Sequence, residues 1–293
     1  MSSLGNLIRE LRPRISDSSI KTYVSSLSSL FKKVYGSGEV DPEKFVDSSK
    51  ILSFLKDMPP ARRKSILAAL VVITNGVPAY RDQMQDDIAV YQHDVQKQSK
   101  NEKQEAYWME PSAIDDKLAQ LKTEALYLLK KKTLSMIDLQ QIQNWVILSL
   151  YWLQVPRRSL DYCLMKWRGD VGDKDNSYNM KKGTFRFVSY KTQRIHGVQT
   201  MQAPKDLRAA LTKWLKKNPT DFLLFDSQGH QLTPTTLNQR LNKIFGKKLS
   251  TSGLRHIFLS SKYGHIIEME KNLTADLAKM GSSDMVAKNY VIR

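Results

Sequence analysis

The sequence predicts a mainly α-helical protein with one small antiparallel β-sheet, built as a helical N-terminal domain followed by a larger α+β domain. Three observations lead to this. Apolar residues recur at helical spacing through most of the 293 residues, as at Ile20, Tyr23, Val24, Leu27, Leu30, Phe31 and Val34. Strand-like alternation is confined to Thr184–Thr192 and Val198–Gln202. Between two blocks of helical pattern lies a polar run, Gln-Lys-Gln-Ser-Lys-Asn-Glu-Lys-Gln-Glu at 96–105, with nothing apolar to bury. The expected layout is therefore a domain over 1–95, a polar linker over 96–107 and a second domain over 108–293.

In the first domain a helix is predicted over 16–35, capped by Ser16 or Asp17 and ended by Gly36. Further helices are expected over 49–56, stopped by Pro59-Pro60, over 60–74, ended by Asn75-Gly76, and over 78–95. The Arg62-Arg63-Lys64 triplet reads as a solvated helix end in preference to a phosphate contact.

The second domain opens near Tyr107-Trp108 with helices over 112–131 and 135–154. The longest apolar run, Trp145–Leu153, is a buried core helix, since crossing a bilayer takes about 20 apolar residues. Trp145 and Trp152 share one face of it and read as core rather than as a base-stacking platform. Pro156 breaks that helix, and a short one through Leu160, Leu164 and Met165 follows. After the hairpin, helices are expected over 207–215, 235–245 and 252–263, with two short ones flanking Gly281, near 273–280 and 283–290.

Charge narrows the choice of partner. The chain holds 46 Lys and Arg against 29 Asp and Glu, a net +17, and residues 151–250 alone carry 19 against 7. A field of that sign, concentrated in one segment, favours a polyanion through steering and counterion release. The single cysteine, Cys163, allows no intrachain disulfide and no metal-ligand spacing, and reads as a core thiol. The N-terminus carries Arg9, Arg12 and Arg14 where a signal segment would be apolar. A reducing compartment, cytoplasmic or nuclear, with no membrane association, is the expectation. His196, His230 and His265 read as surface or turn residues.

The chemistry-bearing residues come in the order Arg157, Lys191, Arg255, Tyr290. Three cations around one hydroxyl suggest a phosphate site. The pieces are Pro156-Arg157-Arg158-Ser159 after a core helix, Tyr190-Lys191-Thr192 before a hairpin turn, Leu254-Arg255-His256 at a helix start, and Met280-Gly281-Ser282-Ser283 ahead of Tyr290. In order and separation they resemble the tyrosine recombinase and phage-type integrase family of DNA breaking-rejoining enzymes. The likeness spans the architecture from near residue 10 to 293, with motifs matching from near 150 onward.

That resemblance implies a core-binding domain and a catalytic domain closing on double-stranded DNA, with self-association as a dimer or tetramer. It implies a site-specific recombinase or integrase, encoded by a virus or mobile element, that works without metal or cofactor. Tyr290 would attack a phosphodiester and form a 3′-phosphotyrosyl link. Arg157 and Arg255 would hold the non-bridging oxygens, with Arg158 the competitor for the first role, and Leu164, seven residues on, favouring Arg157. Lys191 would protonate the leaving 5′ oxygen, and His256 would support the site. Two departures stand out: Ser252 and Ser282 occupy positions where the family carries histidine, or histidine or tryptophan. Serine can donate a hydrogen bond to phosphate but cannot shuttle protons at neutral pH. The Gly281–Tyr290 spacing is also slightly shorter than usual. Alternative readings are a catalytically degenerate DNA-binding relative and a type IB topoisomerase.

Overall fold

The computed structural model describes residues 3–97 and 99–283. The chain divides into two compact units, Met1–Lys100 and Asn101–Arg293.

The first unit is all helical: α1 (Ser3–Leu11), α2 (Asp17–Tyr35), a 3₁₀ turn (Pro42–Val46), α3 (Ser48–Leu55), α4 (Pro60–Ile73) and α5 (Pro78–Gln96). Ser16 caps α2 by accepting from the Ser19 N–H at 3.2 Å, and Gly36 ends the helix with φ +93°. Helix α1 was not expected. It is short, yet Leu4 and Ile8 are buried in the same cluster as Leu27, Phe31 and Leu70. The Arg62-Arg63-Lys64 triplet is not a solvated end as a whole. Arg63 forks onto the buried carboxylate of Asp87 through Nε at 2.9 Å and Nη2 at 2.6 Å, and its Nη1 donates to Lys56 O at 2.7 Å. The ammonium of Lys64 sits 3.2 Å from the Tyr91 ring centroid.

The second unit comprises α6 (Glu102–Tyr107), α7 (Pro111–Leu128), α8 (Met136–Trp152), α9 (Ser159–Cys163), β1 (Ser177–Asn179), β2 (Thr184–Phe187), α10 (Gln193–His196), β3 (Gln199–Gln202), α11 (Lys205–Leu215), α12 (Pro234–Phe245) and α13 (Thr251–Lys279). Helix α8 is its axis. It is buried on nearly every face, as its apolar composition requires. Where it carries a buried amide, Gln143, both ends are satisfied by the Phe225 backbone, at 2.8 and 3.0 Å. Trp145 is core; Trp152 meets Phe258 edge to face at 6.0 Å and donates to Asp115 at 2.6 Å.

The strands form an antiparallel sheet in the order β1-β2-β3, with Tyr178 opposite Phe185 and Phe187 opposite Gln199. The mainly helical class with a small antiparallel sheet is thus observed as expected. Several boundaries differ. The strand read over 184–192 stops at Phe187 because a side chain takes over the backbone bonds. Asn176 Oδ1 accepts from the N–H groups of Val188 and Ser189, both at 2.8 Å, and Asn176 Nδ2 returns a bond to Ser189 O at 2.8 Å. The run after it folds into α10 instead of a plain turn, and β1 was too short to show alternation. Six residues of the stretch read as a linker form α6, where Asn101 and Gln104 make a reciprocal capping box. The two helices expected over 252–263 and 273–280 are one, α13, since Gly264 alone interrupts the pattern and a single glycine costs a helix only about 1 kcal/mol. The helix expected over 283–290 lies, beyond Ser283, outside the described residues. Among those residues no helix is long and apolar enough to cross a membrane.

Candidate active site

Where α8 ends, Pro156 forces the chain into an extended passage, and Arg158 sits there as the N-cap residue of α9 with φ −70° and ψ 154°. That passage, α9, the β2–β3 connection, the first residue of β3 and Arg255 near the start of α13 line a pocket of about 240 Å³. Arg157, Arg158, Arg255, His196 and a single carboxylate, Asp161, line it.

The two adjacent arginines are used differently. Arg157 is largely buried: its Nε donates to Asp161 Oδ2 at 3.0 Å and its Nη1 to Gln199 Oε1 at 2.5 Å. Its guanidinium lies over the rings of Phe187 and Tyr190, 4.1 and 4.7 Å from their centroids. Its Nη2 is buried without a hydrogen-bond partner among the described residues. Arg158, by contrast, is exposed, and its side chain has no hydrogen bond or ion pair among the described residues. Arg255 is half-buried and likewise unpaired. Burial lowers its pKa, the neighbouring charge of Arg158 lowers it further, and Asp161 opposes them. A permanently charged group so placed is stabilised by any anion entering the pocket.

Nearby groups on α8 and α9 are buried. Burial pushes the Tyr151 hydroxyl well above its ordinary range, and that hydroxyl has no hydrogen-bond partner among the described residues. Burial also raises the Asp161 pKa, against the pull of Arg157, and pushes the Cys163 thiol up to about 12. Cys163 is accordingly an inert core thiol.

The start of α13 is held from α6. Ser250 Oγ accepts from the Gly253 N–H at 3.2 Å, capping the helix. His256 Nδ1 lies 2.9 Å from the Tyr107 hydroxyl and 3.4 Å from Gln104 Nε2. The amide nitrogen can only donate, so His256 Nδ1 accepts. His256 thus faces α6 and does not line the pocket. Gly253 is required for this packing: a Cβ there would fall 3.1 Å from the Tyr107 ring.

Of the residues singled out in the sequence, the structure brings together Arg157, Arg158 and Arg255. Lys191 is exposed and sits between two lining residues, Tyr190 and Thr192, without lining the pocket itself. Ser252 is exposed in the first turn of α13, and neither it nor Ser282 lines the pocket. Tyr290 lies outside the described residues. Asp161, Gln199 and His196 were missed. Asp161 stands four residues after Arg157 and could have been noticed as its partner; nothing local marks the other two.

The solved crystal structure of XerA recombinase aligns with 88% of this chain and 82% of its own, at 14% sequence identity and a TM-score of 0.36. No family model matches the sequence, and no curated protein matches it. Among the described residues no group of three or more His, Cys, Asp or Glu side chains is disposed to hold a metal ion.

Proposed function

We propose that this pocket receives a phosphodiester of double-stranded DNA and that the chain breaks and rejoins DNA through Tyr290. The observation that carries this is the convergence of Arg158 and Arg255, two guanidiniums with no hydrogen bond or ion pair among the described residues, at one pocket braced by a third, Arg157. Pentavalent phosphorus gathers negative charge on its non-bridging oxygens, and fixed guanidiniums meet that charge with forked, charge-assisted hydrogen bonds. Arg158 and Arg255 take those oxygens. Arg157, occupied by Asp161 and Gln199, is a positioning residue, so its role and that of Arg158 exchange relative to the sequence reading.

Tyr290 attacks phosphorus and displaces the 5′ oxygen, leaving a 3′-phosphotyrosyl link that conserves the bond for rejoining. Lys191, exposed beside the pocket mouth, protonates the leaving oxygen. The basic segment 151–250 supplies the salt-sensitive attraction to duplex, and copies of the chain assemble on DNA to exchange strands.

The test is a nicked suicide duplex that loses its 5′ fragment on cleavage. A covalent protein–DNA adduct, formed with a chelator present and absent in Tyr290→Phe, is expected. Salt-sensitive duplex binding with no adduct on any duplex tried would favour the second reading, a DNA-binding relative that has lost catalysis. The observation favouring that reading is that Ser252 and Ser282 place no proton-carrying group in the pocket.

A further inference from the structure

Among the residues lining the pocket there is one imidazole, and it belongs to neither position where the sequence invites a search for one. His196 ends α10, in the connection between β2 and β3. Three bonds fold that connection back on itself. The His196 N–H donates to Thr192 O at 3.2 Å, the Gly197 N–H to Gln193 O at 2.8 Å, and the Tyr190 hydroxyl to Gly197 O at 2.6 Å. Gly197 has φ +66°, which a side-chain-bearing residue adopts only under strain. Two residues later Gln199 receives Arg157, and the Tyr190 ring lies under the same guanidinium. The segment carrying His196 is thereby tied to the arginine platform at two points.

Other candidates for proton transfer are engaged elsewhere. The Asp161 carboxylate is buried and takes the Arg157 Nε. His256 has its Nδ1 turned to Tyr107 and Gln104. His230 stands 3.9 Å from Asp226, on a turn that does not reach the pocket. The charged groups around His196 are Arg157 and Arg158 on the passage before α9, Asp161 on α9, Arg255 on α13, and Lys191 and Arg194 on its own connection. All but one are cations, and a bound phosphate would offset them.

We propose that His196 is the proton acceptor of this pocket, standing in for the imidazoles that Ser252 and Ser282 do not supply. The proposal builds on the reading that a phosphodiester is attacked here. As the oxygen of the attacking hydroxyl bonds to phosphorus, its proton passes to the His196 imidazole. The bond from phosphorus to the 5′ oxygen breaks, and that oxygen takes a proton from Lys191. The exposed ring then loses its proton to water while the lysine regains one, so the step is balanced and uses no further reactant. An exposed histidine suits this role because it equilibrates with solvent between turnovers.

The test measures single-turnover adduct formation on the nicked duplex, from about pH 5.5 to about pH 9, for wild type, His196→Gln and His196→Ala. Both variants should bind duplex with wild-type affinity and melt at the wild-type temperature. Both should form adduct about 10²-fold more slowly across that pH range. Free imidazole should restore part of the rate to His196→Ala and none to His196→Gln. Wild-type rates and pH profile in either variant would overturn the proposal, as would a defect confined to DNA affinity. Failure of wild type to form any adduct, with binding intact, would instead overturn the phosphodiester-cleavage reading and this proposal with it.

Discussion

Arg157 and Asp161, four residues apart, form an ion pair, Nε to Oδ2 at 3.0 Å, with both side chains largely out of water. Removing one partner of such a pair leaves the other as an uncompensated buried charge, which costs about 3–5 kcal/mol. Asp161→Asn should therefore lower the unfolding free energy of the second unit by about 3 kcal/mol in urea titration. A change below about 0.5 kcal/mol would mean that the pair is dispensable.

The neighbouring arginines should separate cleanly. Arg158 is exposed and unpaired, so Arg158→Ala should leave stability within about 0.5 kcal/mol of wild type. It should also slow adduct formation by about 10²–10³-fold, the usual effect of deleting one donor to a developing oxyanion. Arg157→Ala should do the reverse first: it strands Asp161, empties the space over Phe187 and Tyr190, and lowers the melting temperature. Melting curves and single-turnover rates on the same two variants check both halves.

Much of this was legible in the sequence, and the failures have identifiable causes. Helical periodicity with proline and glycine punctuation located α2, α4, α7, α8, α11 and α12 to within a few residues. Arg157, Arg158 and Arg255, singled out by type and order, line one pocket. Which of the first two is free to meet a ligand depends on Gln199 and two ring faces, contacts made across 30 to 42 residues that no local pattern encodes. His196 reads in the sequence as a surface or turn residue and is exposed beside Gly197; that it also lines the pocket depends on the fold-back pinned by Tyr190. The early end of β2 required knowing that Asn176 would replace a strand as the backbone's partner.

Gly253 links α6 to the site. An alanine Cβ there would stand 2.7 Å from Leu249 Cδ1 and 3.1 Å from the Tyr107 ring. Gly253→Ala should destabilise the second unit by about 1–3 kcal/mol, as overpacking does. Trimming the ring in Gly253→Ala/Tyr107→Ala should cost less than the two single losses added together. Strict additivity in a double-mutant cycle would show that the two residues do not meet.

Asp138 gives the fold an acid-side signature. Lys131 Nζ at 2.7 Å, with the Ser135 N–H and hydroxyl, holds its carboxyl down to about 2 from an ordinary 3.8. Because the folded pKa is depressed, its stabilising effect is complete above about pH 4 and is lost as pH falls toward 2. The difference between wild type and Asp138→Asn isolates this effect: the variant should be the less stable at neutral pH, and the two should converge on acidification. Parallel curves from pH 6 to about pH 2 would refute it.

Under the proposed function, Arg158 and Arg255 grip the phosphodiester that is cut. The most direct measurement is an experimental structure of Tyr290→Phe bound to an intact duplex. One phosphate is expected in the pocket, with its non-bridging oxygens within about 3 Å of both guanidiniums and His196 facing the attacking side. A duplex bound across another face, with the pocket holding no phosphate, would contradict it.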